Sequence, residues 1–147
     1  MKIAITGHRD LKTVDHATVV DRVVRFLDDG VTDVYMGGAV GVDTLVLETL
    51  LAQPKRPRLV TVVPCRVEDQ SVMIRDLIRR SDEVVELCVP ITRQDGWQAY
   101  RVRNQFLVDR GVDRLVAFHN GSTDSGTWQT MRYARQIGRI VEVVGIS

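Results

Sequence analysis

Short runs of β-branched and apolar residues alternate with longer amphipathic stretches along the whole chain. Residues 2–6 (Lys-Ile-Ala-Ile-Thr) read as a short strand. From Thr13 the spacing turns helical. Val14, Ala17, Val20, Val23, Val24 and Leu27 share one face, with Asp21, Arg22, Arg25 and Asp28 opposite. Thr13 is the expected N-cap and Gly30 the C-terminal stop. Residues 33–36 predict a second strand that runs directly into Gly37. A helix rich in leucine follows, with Leu45, Val46, Leu47, Leu50 and Leu51, and ends before the basic turn Pro54-Lys55-Arg56-Pro57. Residues 59–63 are a third strand, closed by Pro64. Residues 68–80 predict a helix with Val72, Met73, Ile74, Leu77 and Ile78 apolar and Arg75, Arg79 and Arg80 polar. A fourth strand is expected over 83–89, and 90–96 is the longest irregular connection and the candidate lid. A helix over about 97–110, a strand over 114–118, a helix over 126–137 and a strand over 139–144 complete the pattern.

Strands alternating with helices imply βαβ units and a mainly parallel sheet. The expected fold is therefore α/β: a single doubly wound, Rossmann-like domain over residues 1–147, with helices on both faces. No internal repeat or low-complexity tract divides it. Such sheets bind ligands beyond the carboxyl ends of their strands, at a topological switch point. Three glycine-bearing turns follow strands and so fall on that edge. They are Thr6-Gly7-His8-Arg9, then Gly37-Gly38-Ala39-Val40-Gly41-Val42-Asp43, then residues 121–127 with Ser125-Gly126-Thr127. A turn of this kind exposes backbone N–H groups and the positive end of a helix dipole, which suits phosphate.

Four segments carry the candidate chemistry. Arg9 lies three residues beyond the first strand, where its guanidinium either grips a phosphate or pairs with Asp10 or a loop carbonyl. Gly37 and Gly38 allow close backbone approach. Asp43 lies in the first turn of the next helix, as a cap or as an acceptor for ribose hydroxyls. Arg103 falls in the middle of the apolar face defined by Ala99, Tyr100, Phe106 and Leu107, so it needs an anion: a structural carboxylate or a ligand phosphate. Asn104 is adjacent and could orient either. Ser125, Gly126 and Thr127 open the last helix with two hydroxyls and unpaired N–H groups, as a phosphate site or a simple cap. Trp128 and Tyr133 read as packing residues.

Composition narrows the classes. Twenty basic residues against nineteen acidic ones give a formal charge of +1. With two tryptophans and three tyrosines, the chain lacks the charge and stacking surface for strong non-specific nucleic-acid binding. Cys65 and Cys88 stand apart and read as small buried hydrophobes in a reducing compartment. His8, His16 and His119 have no ligand-like spacing, so no metal and no cofactor are expected. No cationic leader precedes the first strand, and no apolar stretch approaches the ~20 residues that span a bilayer. A cytoplasmic protein without a membrane partner is the expectation.

The ordered set of motifs resembles the SLOG superfamily, which includes the Lonely-guy cytokinin-activating enzymes and the DNA-processing protein A family. The resemblance is nearest to bacterial and phage SLOG proteins of largely uncharacterised function. It rests on Ile5-Thr6-Gly7-His8-Arg9, on residues 37–43, on Arg103-Asn104 with Val108-Asp109, on Ser125-Gly126-Thr127 and on Arg132-Tyr133-Ala134, covering about residues 3–144. It implies a Rossmann-like sheet, a pocket for a nucleotide-derived small molecule and, in several branches, a homodimer. Carried over position by position, Gly7, Arg9, Gly37, Gly38, Asp43, Arg103, Asn104, Ser125, Gly126 and Thr127 would line that pocket. The implied function is binding or sensing of a nucleoside monophosphate or an ADP-ribose-like ligand. The alternatives are hydrolysis of a nucleotide N-glycosidic bond and a DNA-processing role. One departure bears on hydrolysis. The phosphoribohydrolase motif Pro-Gly-Gly-x-Gly-Thr-x-x-Glu places a glutamate where this chain has Thr130, and leaves Asp43 and Glu48 as the nearby carboxylates.

Overall fold

A computed structural model describes residues 1–89 and 96–147, with the side chains of residues 96 and 97 not described. The lid expected at 90–96 therefore lies outside the described residues, except for Gly96, which opens a helix. The elements are β1 (Lys2–Gly7), α1 (His16–Arg25), β2 (Asp33–Met36), α2 (Val42–Leu51), β3 (Arg58–Val63), α3 (Val72–Arg79), β4 (Glu83–Glu86), α4 (Gly96–Asp109), β5 (Arg114–His119), α5 (Gly126–Gln136) and β6 (Ile140–Gly145). The six strands form one parallel sheet in the order β4-β3-β2-β1-β5-β6. The chain steps outward three times from β1 and then returns to its other side at β5, so the switch point lies between β1 and β5.

Strand alternation builds the two layers. Ile3 and Ile5 of β1, Val34 and Met36 of β2, and Val116 and Phe118 of β5 pack with α1, α2 and α3. Ala4, Tyr35, Leu115 and Ala117 point the other way and pack with Leu107 and Val108 of α4 and Met131 and Ala134 of α5. With both faces covered, the central strands are buried throughout, which is why they read as continuous apolar runs.

Two helices turn differently from expectation. A 3-10 turn over Thr13–Asp15 precedes α1 and shifts its phase, so Val19, Val23 and Phe26 are buried while Val14 is 75% exposed. Thr13 is not the N-cap. Asp15 takes that position without capping, because its Oδ1 accepts from the backbone N–H and hydroxyl of Ser147 at 3.0 and 3.1 Å. Likewise a 3-10 turn over Val67–Asp69 delays α3 to Val72, which leaves Val72 and Met73 74% and 83% exposed while Ile74 and Ile78 face the core. The fourth strand stops at Glu86, short of residue 89, and Cys88 adopts a left-handed φ of 56°. Cys65 is buried as expected, but Cys88 is exposed.

Candidate functional site

A cavity of about 750 Å3 opens over the carboxyl ends of β1 and β5, at the switch point. Its volume falls in the ~300–1,000 Å3 range of small-molecule sites. Nine of the ten positions singled out from the sequence line it: Gly7 and Arg9 after β1, Gly37 after β2, Asp43 in α2, Arg103 and Asn104 in α4, and Ser125, Gly126 and Thr127 at the start of α5. Gly38 does not. At a φ of 61° it turns toward Thr61 and Ile78, and a Cβ there would lie 2.8 Å from Thr61 Cγ2.

Arg103 anchors the site. It is only 4% exposed, and α4 presents it between Ala99 and Leu107, as the spacing predicts. Its Nε donates to Asn104 Oδ1 at 2.8 Å, and its Nη1 donates to the carbonyls of Gly37 and Val62, the latter at 3.4 Å. Carbonyl dipoles and the Asn104 amide thus meet the guanidinium directly, with Asp43 acting at longer range. Burial pulls the Arg103 pKa down, and the Asp43 charge is the largest effect opposing this. Gly37 is required by that arrangement. A Cβ on it would come within 2.5 Å of Arg103 Nη1 and 2.6 Å of Cζ.

Arg103 does not stand alone. The Arg9 guanidinium lies 4.0 Å from the Tyr100 ring centre and that of Arg103 lies 5.5 Å from it, so one ring carries two cations. Tyr100 precedes Arg103 by three residues on the same helical face. Sequence reasoning used it only to mark that face.

Asp43 is 7% exposed and lines the same cavity. Its Oδ2 accepts from the Ala39 N–H at 3.1 Å, while Oδ1 is buried with no hydrogen-bond partner among the described residues. Burial raises its pKa; the nearby Arg103 guanidinium, the Ala39 N–H and Arg9 pull the other way without reversing it. A half-satisfied buried carboxyl carries a sizeable desolvation penalty unless something in the cavity meets it.

At the opening of α5, Ser125 Oγ accepts from the Trp128 N–H at 3.2 Å, so this hydroxyl caps the helix. The N–H groups of Gly126 and Thr127 precede the first intrahelical bond and have no partner within the helix. A Cβ on Gly126 would meet only Asn104 Nδ2, at 3.9 Å, so this glycine borders open space.

The fold also assembles what spacing hid. His8 stacks on His119 with ring centres 5.6 Å apart, and His119 stacks on Trp128 at 5.8 Å. The Asn120 N–H donates to His8 Nε2 at 3.1 Å, which leaves Nδ1 as the protonated nitrogen of a neutral ring. Burial lowers the His8 pKa, the neighbouring His119 lowers it further and Asp10 partly offsets both. His119 Nε2 donates to the Ser122 carbonyl at 2.7 Å. His8 and Asn120 face the cavity. Among the described residues no group of three or more His, Cys, Asp or Glu side chains is arranged to hold a metal. Thr130 donates to the Gly126 carbonyl at 2.7 Å and lines a smaller groove beside α5, while Glu48 is exposed on α2 outside the cavity.

No protein-family model and no curated protein matches the sequence. Solved structures do match the fold. DNA processing protein A from Helicobacter pylori, described for its single-stranded DNA binding mode, superposes with a TM-score of 0.76 at 19% identity. That match covers all of this chain and 66% of that one, so this chain spans a little under two thirds of its length. The structural-genomics protein TM1055 superposes with a TM-score of 0.66 at 17% identity, over 95% of this chain and 71% of the other. No helix among the described residues is long and apolar enough to cross a membrane. The chain therefore carries a Rossmann-type α/β fold with one parallel sheet, a fold it shares with these two structures.

Proposed function

We propose that the cavity binds a nucleotide-derived small molecule, a nucleoside monophosphate or a larger ligand built on one. Its phosphate lies among Arg9, Arg103 and the first turn of α5, and its ribose hydroxyls lie against Asp43. One observation carries this reading: two guanidiniums from different elements and the unpaired N–H groups of a helix start border one cavity at the switch point. The partnerless Oδ1 of Asp43 supports the ribose assignment, because a sugar hydroxyl would supply the missing donor. A second copy of the chain as partner and a cytoplasmic setting belong to the same reading.

Mass spectrometry of small molecules released by denaturing freshly purified protein tests it, together with calorimetry using AMP. The expected result is a co-purifying nucleotide derivative or saturable AMP binding. Absence of both overturns it. Sub-micromolar binding of random single strands at physiological salt, with a steep salt slope, would instead favour the DNA-processing alternative.

Hydrolysis of an N-glycosidic bond is the second reading, and Asp43 is the observation in its favour. It is a buried carboxyl in the cavity with a raised pKa, the property that suits a group to general acid–base work. Thr130 has no such capacity, and its hydroxyl is committed to the helix backbone.

A further inference from the structure

We propose that the ligand cavity continues into the groove between α4 and α5, and that the protein takes a ligand of two nucleoside units joined through phosphate. The second base lies in the groove. This rests on the phosphate reading above. A second cavity of about 250 Å3 lies between the two helices and shares Arg101, Asn104 and Gln129 with the first. It is smaller than the ~300 Å3 at which independent small-molecule sites begin, so it serves as an arm of the larger cavity.

Asn104 forms the junction. Its Oδ1 holds Arg103 Nε at 2.8 Å, and its Nδ2 is the atom facing Gly126 across the opening of α5. A ligand leaving the phosphate position between Arg103 and α5 therefore passes Asn104 into the groove. The chemistry changes there. Gln105, Gln129 and Gln136 each present a donor beside an acceptor, the pairing that reads base edges. Arg101 and Arg132 add flat guanidinium groups that stack on bases or meet a bridging phosphate. Among the described residues the groove lining contains no carboxylate, and the Asp109 carboxylate beside it accepts from the hydroxyl of the lining residue Tyr133 at 2.7 Å.

The test compares AMP with the 5′-phosphorylated dinucleotide pApA by calorimetry on the whole protein. The expected result is pApA binding about tenfold or more tighter than AMP. In Arg132→Ala the ratio of the two Kd values should fall to near one. Arg132 is exposed on α5, so circular dichroism should show an unchanged fold. Equal affinities in the parent protein, or an unchanged ratio in the variant, overturn the proposal while leaving the phosphate site standing. Binding of neither probe overturns both. A free dinucleotide and the end of a strand share this chemistry. A 5′-phosphorylated ten-nucleotide strand that displaces pApA at similar concentration assigns the strand end, and one that fails to do so assigns the free dinucleotide.

Discussion

Arg9 and Arg103 flank one tyrosine ring, yet only Arg103 should cost much stability when it is substituted. Arg103 is 4% exposed and holds together three segments through Asn104 Oδ1 and the carbonyls of Gly37 and Val62. Removing the guanidinium leaves those buried carbonyls without their charged donor, and a hydrogen bond to a charged group contributes about 1.5–3 kcal/mol. A domain of this size is stable by only about 5–15 kcal/mol. Arg103→Ala should therefore lose a large part of its stability in urea, with binding lost alongside. Arg9 is exposed, and its recorded contact is the cation–π approach to Tyr100 at 4.0 Å, an interaction of about 0.5–1 kcal/mol at exposed sites. Arg9→Ala should thus unfold within about 1 kcal/mol of the parent. In the proposed complex each guanidinium donates charge-assisted hydrogen bonds to the ligand phosphate, an interaction of about 1.5–3 kcal/mol. Arg9→Ala should accordingly weaken AMP binding about 10- to 150-fold. Urea titrations at pH 7 and calorimetry with AMP read the two effects separately. Unchanged AMP affinity in Arg9→Ala would remove Arg9 from the site, and a stability loss matching that of Arg103→Ala would show that its structural role had been missed.

Three further outcomes are expected. Gly7→Ala places a Cβ 2.5 Å from Val42 Cβ at the closed start of α2, so the urea midpoint should drop by the equivalent of about 1–3 kcal/mol; a parental midpoint would mean that the turn relaxes freely. Folding raises the Asp43 pKa above its ordinary 3.8, so the carboxyl favours the folded state most below that value. That contribution is lost as pH rises toward the folded pKa, by about 1.4 kcal/mol for each pH unit the window spans. Asp43→Asn should gain on the parent protein over the same rise, and a stability difference that is flat with pH excludes the effect. With Thr130 in place of a catalytic glutamate, adenine release from AMP over hours should be slow or undetectable by chromatography. Robust release abolished by Asp43→Asn would establish the hydrolytic reading.

The sheet was legible because a parallel strand buried on both faces must be apolar along its length, as Ile3 to Ile5 and Leu115 to Phe118 are. Helix phase was less so. Val14, Val72 and Met73 fit an apolar stripe in sequence, but short 3-10 turns precede α1 and α3 and rotate those side chains outward. A 3-10 turn advances about 120° per residue against 100° in an α-helix, so three residues of it suffice to move a stripe off the core. Nothing in the composition of residues 13–15 or 67–69 announces that change.

The site shows the same division at closer range. Arg103 was legible because a cation inside an apolar stripe has no inexpensive explanation, and its depth follows from α4 alone. The His8–His119–Trp128 column was not, since its members lie just past β1, at the end of β5 and in α5, and meet only once β1 and β5 are neighbours. The glycines separate most sharply. All three turns suggest a ligand from sequence, yet Gly7 makes room for Val42 and Gly37 for Arg103, contacts the protein makes with itself. Gly126 alone of the three has open space beside it. A glycine-rich turn thus marks where two parts of a chain approach closely. Only the geometry of the other part tells whether a side chain already fills the gap, and of these three glycines it is Gly126, at the start of α5, whose gap is open.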